Sequence, residues 1–117
     1  MFNFERLEVW QKSMDLARLV YRCTRAFPVE ERFGLRSQMR RSAASFPSNI
    51  AEGCSRNSRQ DFARFVEIAT GSTFELATQA RLAADEGFLP METYDQIYRQ
   101  ALEVVRMLSG LREALLR

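Results

Sequence analysis

Arginine is the residue of this chain best suited to chemistry. Sixteen of the seventeen cationic residues are Arg, and Lys12 is the exception. A guanidinium is a planar fork that fits phosphate or carboxylate and suits interfaces better than an ammonium group. From Arg32 to Arg64 there are seven Arg against Glu52 and Asp61, a local balance of +5, which leaves the rest of the chain at −3. Phosphate binding needs such a concentration, because each neutralised phosphate releases counterions. Arg36 and Arg40 are four residues apart, so on a helix they share one side and reach one backbone. Arg56, Arg59 and Arg64 gather around a polar turn. These five are the candidate nucleic-acid residues. Two other readings stay open: pairing with acids between subunits, and a solvated surface of an Arg-rich chain. Phe46, Phe62 and Phe65 fall on core positions, so no aromatic is interleaved for base stacking, and contact would be directed to the backbone.

A second group is polar. Arg41, Ser45, Ser48 and Glu52 fall on one stripe, bordered by Gln38 and Asn49, and Glu75 lies beside Ser72 further on. Arg41 with Glu52 or Glu75 is expected to form a buried or interfacial ion pair, of a kind that specifies assembly more than it stabilises. Arg41, Ser45, Glu52 and Glu75 are therefore candidates for an oligomer contact or polar network. A catalytic carboxylate pair would need a cleft that drives two pKa values apart, and close-packed helices offer no evident cleft. The chain has no His, which removes the commonest general base and transition-metal ligand. GxGxxG, Walker-type, HExxH and GxSxG strings are absent. Cys23 and Cys54 stand far apart without a CxxC, which argues against zinc and against a disulfide framework. Cys54 follows Gly53 near a helix C-terminus, the wrong end of the dipole for a reactive thiolate. No enzyme, cofactor or metal is expected. The sequence from Met1 is polar, without a signal peptide's apolar core, and no apolar run approaches the ~20 residues of a membrane span. A cytoplasmic protein with free thiols, away from membranes, is the expectation.

These residues must be held by helices. Residues 1–117 suit one domain, and three- and four-residue spacing of apolar side chains places helices at about 7–26, 34–54, 58–86 and 91–115. In the first, Val9, Leu16, Val20, Cys23 and Phe27 form one apolar stripe, and Leu7, Trp10, Met14, Ala17 and Tyr21 form another. Together they span about half the cylinder, more than the ~100° a surface helix needs, so the second stripe calls for a partner. Phe27-Pro28 closes this helix. Leu35, Met39, Ala43, Phe46, Ile50 and Cys54 form the core stripe of the second helix, which Pro47 is expected to kink near Ala43 to Phe46. Ser58 with Asp61 resembles a capping box for the third. There, Ile68, Phe74 and Leu82 lie off the core face, and Gly71 calls for a packing reason, since Gly costs about 1 kcal/mol against Ala. Gly87 and Pro90 separate the third helix from the fourth, where Asp95 and Arg99 are spaced for an ion pair. No two-residue alternation marks a strand. The expected fold is all-α: an antiparallel up-down-up-down four-helix bundle.

Three strings occur in order: LEVWQKSMDLARLVY from Leu7, FPVEERFGLRSQMRRSAASFPSNIAEG from Phe27, and FARFVEIATGSTFEL from Phe62. They resemble the four-helix-bundle family encoded within intervening sequences of bacterial 23S ribosomal RNA genes. The resemblance is strong over residues 4–86 and is one of character only in the last helix. It implies a bundle that assembles as a homopentamer. It also implies kinship with the accessory variability protein of diversity-generating retroelements, whose pentameric basic barrel binds a reverse transcriptase and nucleic acid. The expected partners are further copies of the chain, RNA or DNA, and a reverse transcriptase or other protein. The function expected is that of a non-enzymatic, nucleic-acid-associated accessory protein; the alternative is a protein-interaction scaffold with no nucleic-acid role.

Overall fold

A computed structural model describes residues 1–117. The chain forms four α-helices and no strand: α1 (Glu8–Thr24), α2 (Leu35–Gly53), α3 (Arg59–Asp85) and α4 (Met91–Leu115). Short 3-10 turns at Asn3–Arg6 and Val29–Glu31 precede α1 and α2. α1 packs on α2 and α4, and α3 packs on α2 and α4, with no diagonal contact. The result is a four-helix bundle 44 Å long and 21 Å across.

Local chemistry sets the helix ends. Pro28, at φ −55° and ψ 147°, cannot continue α1 and turns the chain. Glu31 Oε1 accepts the Leu35 N–H at 3.0 Å and so serves the open N-terminus of α2. Ser58 Oγ accepts the Asp61 N–H at 3.0 Å and caps α3. At the far end of α3, Gly87 takes φ +78°, and the Phe88 and Gly87 N–H groups return to Ala83 and Ala84 at 2.9 and 3.0 Å. That is a Schellman ending, which only Gly adopts without strain. α2 remains helical across the buried Pro47.

The core is made by the predicted stripes. Leu16 and Val20 meet Met39, Phe46 and Ile50, Val66 and Leu76, and Ile97, Val104 and Leu108, all essentially inaccessible to water. Burying each such side chain is worth about 1.5–3 kcal/mol. The second stripe of α1 lies at the edge of this core, with Ala17 buried in it and Leu7 and Trp10 packed against it. Trp10 and Met14 are half-buried, Tyr21 is exposed, and with Ala17 they border a groove shared with Phe4, Pro47 and Ala51. Ile68, Phe74 and Leu82 project into solvent.

Two expectations fail at the level of local packing. Gly71 is exposed, and a Cβ built there meets no atom within 4 Å, so no intrachain contact requires it. Gly53 is the glycine under packing constraint: a Cβ there lies 2.7 Å from Phe62 Cδ1 and 3.0 Å from Phe65 Cβ. The Asp95–Arg99 ion pair is not formed; both side chains are exposed, where water competes for them.

Candidate nucleic-acid interface

The five candidate arginines do not form one surface on a single chain. Arg36 and Arg40 stand on the first turns of α2, while Arg56, Arg59 and Arg64 surround the junction of α2 and α3. Sixteen residues separate Arg40 from Arg56, roughly 24 Å at the helical rise. The two groups occupy opposite ends of the bundle.

At the α2–α3 end the guanidinium groups are engaged. Arg56 Nη2 lies 3.0 Å from Glu52 Oε1, and its guanidinium sits 4.5 Å from the centroid of Phe65. Arg59 Nη2 donates to the Ala114 carbonyl at 2.8 Å, satisfying an open carbonyl in the last turn of α4. Arg64 reaches Asp61 loosely, at 3.8 Å, and is more exposed than Arg56. Two acids and a helix end thus absorb much of this charge.

The other end differs. Between Tyr21 and Arg41 there are six Arg (22, 25, 32, 36, 40, 41) against Glu30 and Glu31, a balance of +4. None of the six forms an ion pair, and Glu31 is occupied at the start of α2. Arg40 holds two helices together. Its Nε donates to Thr24 Oγ1 at 2.8 Å and its Nη2 to the Tyr21 carbonyl at 3.0 Å. The guanidinium also lies over the Tyr21 ring, 4.9 Å from the centroid. Buried Thr24 Oγ1 donates in turn to the Val20 carbonyl at 2.7 Å. Partial burial holds the Arg40 pKa below its ordinary range, and the positive charges of Arg36 and Arg25 act in the same direction. Arg25, Arg36 and Arg40 therefore form a like-charged cluster with no acid to neutralise it. The reading of Arg40 as an outward phosphate ligand needs correction: it is a partly buried clamp, and Arg25 and Arg36 are the free members.

Sequence reasoning missed Arg25. It sits just past α1, and the short link through Phe27-Pro28 folds that end back beside the start of α2. The signal was present, but a window opening at Arg32 excluded it.

The polar stripe becomes a seam between α2 and α3. Ser45 Oγ and Ser72 Oγ are 2.8 Å apart, and Asn49 Nδ2 lies 3.2 Å from Ser45 Oγ. Buried Ser42 places its Oγ 2.9 Å from both Glu75 Oε1 and Gln79 Oε1. The expected Arg41 ion pair is absent. Arg41 donates to Ser37 Oγ at 3.3 Å, and Glu52 is turned to Arg56, roughly 16 Å further along the helix at its standard rise. Ser48 bonds back to the Ala44 carbonyl at 2.7 Å. Arg41 and Glu75 do border one recess of about 170 Å³ with Gln38, Ser42 and Gln79. Cys23 and Cys54 are half-buried and unpaired, and burial raises the pKa of both thiols, which disfavours the thiolate. No group of His, Cys, Asp and Glu side chains is placed to hold a metal ion, and no helix is long and apolar enough to cross a membrane.

Fold and surface together define an all-helical bundle with six arginines, Arg22 to Arg41, that form no ion pair around the α1–α2 turn. The sequence pattern of the 23S rRNA-intervening sequence proteins matches residues 5–110, and the chain belongs to that family. Among solved structures it is similar to a protein of unknown function from the S23 ribosomal protein family of Bacteroides thetaiotaomicron VPI-5482. The two are 26% identical, the match covers 89% of this chain and 97% of the other, and the TM-score is 0.79. No curated protein matches the chain.

Proposed function

We propose that this chain is a non-enzymatic, nucleic-acid-associated accessory protein that acts as a cytoplasmic homo-oligomer. Arg25, Arg36 and their neighbours at the α1–α2 end contact phosphates. The observation that carries this reading is six arginines at one end of the bundle without a single ion pair among them. Uncompensated like charges repel at a cost to the fold, and a polyanion relieves that cost while releasing its own counterions. Of the five arginines first singled out, Arg36 belongs to this end and Arg40 is taken up as a clamp; Arg56, Arg59 and Arg64 lie on the far end, so they join the same nucleic acid only in an assembly or on a long strand. The test is binding of labelled RNA hairpin, single-stranded DNA and duplex DNA at several salt concentrations. Affinity is expected to fall steeply with salt; flat curves for all three would overturn the reading.

Apolar surface supports self-association. The α1–α2 groove, of about 450 Å³, is lined by Trp10, Met14, Tyr21 and Pro47. A second, of about 340 Å³ between α3 and α4, is lined by Phe74, Tyr98, Leu102 and Val105. Patches of this kind mark contact surfaces. The family resemblance implies five copies, so light scattering is expected to give five times the 13.6 kDa chain mass; a monomer at micromolar concentration would contradict it. These grooves also favour the second reading, a protein scaffold, which flat salt curves would leave standing.

A further inference from the structure

The basic end also carries exposed aromatic surface. Phe33, in the turn before α2, is 84% exposed. The Arg32 guanidinium lies over one face of its ring, 5.0 Å from the centroid. Tyr21 is 41% exposed under the guanidinium of Arg40. A ring as open as that of Phe33 contributes nothing to the core. Phe33 lies in the turn that leads into α2, three residues before Arg36. The other face of Phe33 is free, and neither Arg32 on its covered face nor Arg36 in the next turn has an acid partner.

The occupant of such a surface must offer a flat apolar face and negative charge together. A purely apolar partner would strip water from unpaired guanidinium groups without compensating them. A nucleic-acid duplex offers phosphates but hides its base faces inside the stack. A single strand offers both, and stacking on an aromatic ring accepts any base because every base has a π-face. Building on the nucleic-acid reading above, we propose that the α1–α2 end binds single-stranded nucleic acid, with an unstacked base on Phe33 and its flanking phosphates on Arg25, Arg32 and Arg36. The aromatic component missing from the sequence pattern is supplied by the turn, not by the helices.

The test compares wild-type protein with Phe33→Ala and with the double variant Arg25→Ala/Arg36→Ala. The probes are a fluorescein-labelled U12 oligoribonucleotide, a T12 oligodeoxyribonucleotide and a 12-base-pair DNA duplex, followed by anisotropy. Phe33 is outside the core, so its variant should melt like wild type, which circular dichroism checks. Phe33→Ala is expected to weaken binding of U12 and T12 by about 5- to 150-fold, the range for loss of one stacked base, and to leave duplex binding within about twofold. The double Arg variant is expected to weaken all three probes. If Phe33→Ala binds single strands as wild type does while the Arg variant is impaired, the stacking proposal is overturned and the phosphate reading stands. If wild type binds no probe, both fall. Loss on U12 alone or on T12 alone also supports the proposal and identifies which sugar the site prefers.

Discussion

Arg40 shows how one side chain can be drawn from function into structure. On a helical projection it is the twin of Arg36. In the fold its Nε and Nη2 reach Thr24 and the Tyr21 carbonyl, groups sixteen and nineteen residues earlier in the chain. The carbonyl it binds belongs to the last turn of α1, where cationic donors also complement the helix dipole. Arg40→Ala should therefore destabilise the fold by about 1.5–3 kcal/mol, the range for a hydrogen bond to a charged group. Arg40→Lys should recover only part of this, because an ammonium cannot make both bonds and cover the ring. Urea denaturation of the three proteins checks this; an Arg40→Ala protein as stable as wild type would remove the clamp. The four-residue spacing of Arg36 and Arg40 was legible in the sequence, but the partners of Arg40 were not, since they depend on how α1 and α2 dock.

Among the helices, the glycines separate local from tertiary control. Gly53 lets the end of α2 approach Phe62 and Phe65 on α3, and a methyl group there would overlap the Phe62 ring. Gly53→Ala is expected to cost about 1–3 kcal/mol through overpacking. Gly71 faces open space, so Gly71→Ala should gain about 0.5–1 kcal/mol by restricting the unfolded chain and favouring helix. Thermal melts of the two variants should shift in opposite directions; a destabilised Gly71→Ala would place α3 in an intersubunit contact. Four helices and no strand were readable because apolar spacing near 3.6 residues and the Pro and Gly breaks agreed with one another. The packing need at Gly53 was hidden, as it comes from two aromatic side chains approaching from the next helix. The polar seam was half legible. The stripe holding Ser45 and the flank holding Glu75 were visible, but buried Ser42, which binds Glu75, belonged to neither.

For the whole molecule, the decisive fact is the separation of charge along a 44 Å bundle. Counting charge over a window of sequence merges residues that a helix carries roughly 24 Å apart. Partner chemistry then distinguishes two arginine groups: Glu52, Asp61 and the Ala114 carbonyl engage those at the α2–α3 junction, while none of the six from Arg22 to Arg41 pairs with an acid. In the proposed oligomer, several bundles side by side would turn isolated arginine clusters into a continuous ring or band. The most direct measurement is the salt dependence of nucleic-acid binding in two double variants, Arg25→Ala/Arg36→Ala and Arg56→Ala/Arg64→Ala. On single-stranded DNA each lost phosphate contact lowers the slope of log K against log salt by about 0.7. The first variant should therefore lower it by about 1.4 per binding site, with the second close to wild type. Equal slopes for wild type and Arg25→Ala/Arg36→Ala, or a larger loss in Arg56→Ala/Arg64→Ala, would contradict the assignment of phosphate binding to the α1–α2 end.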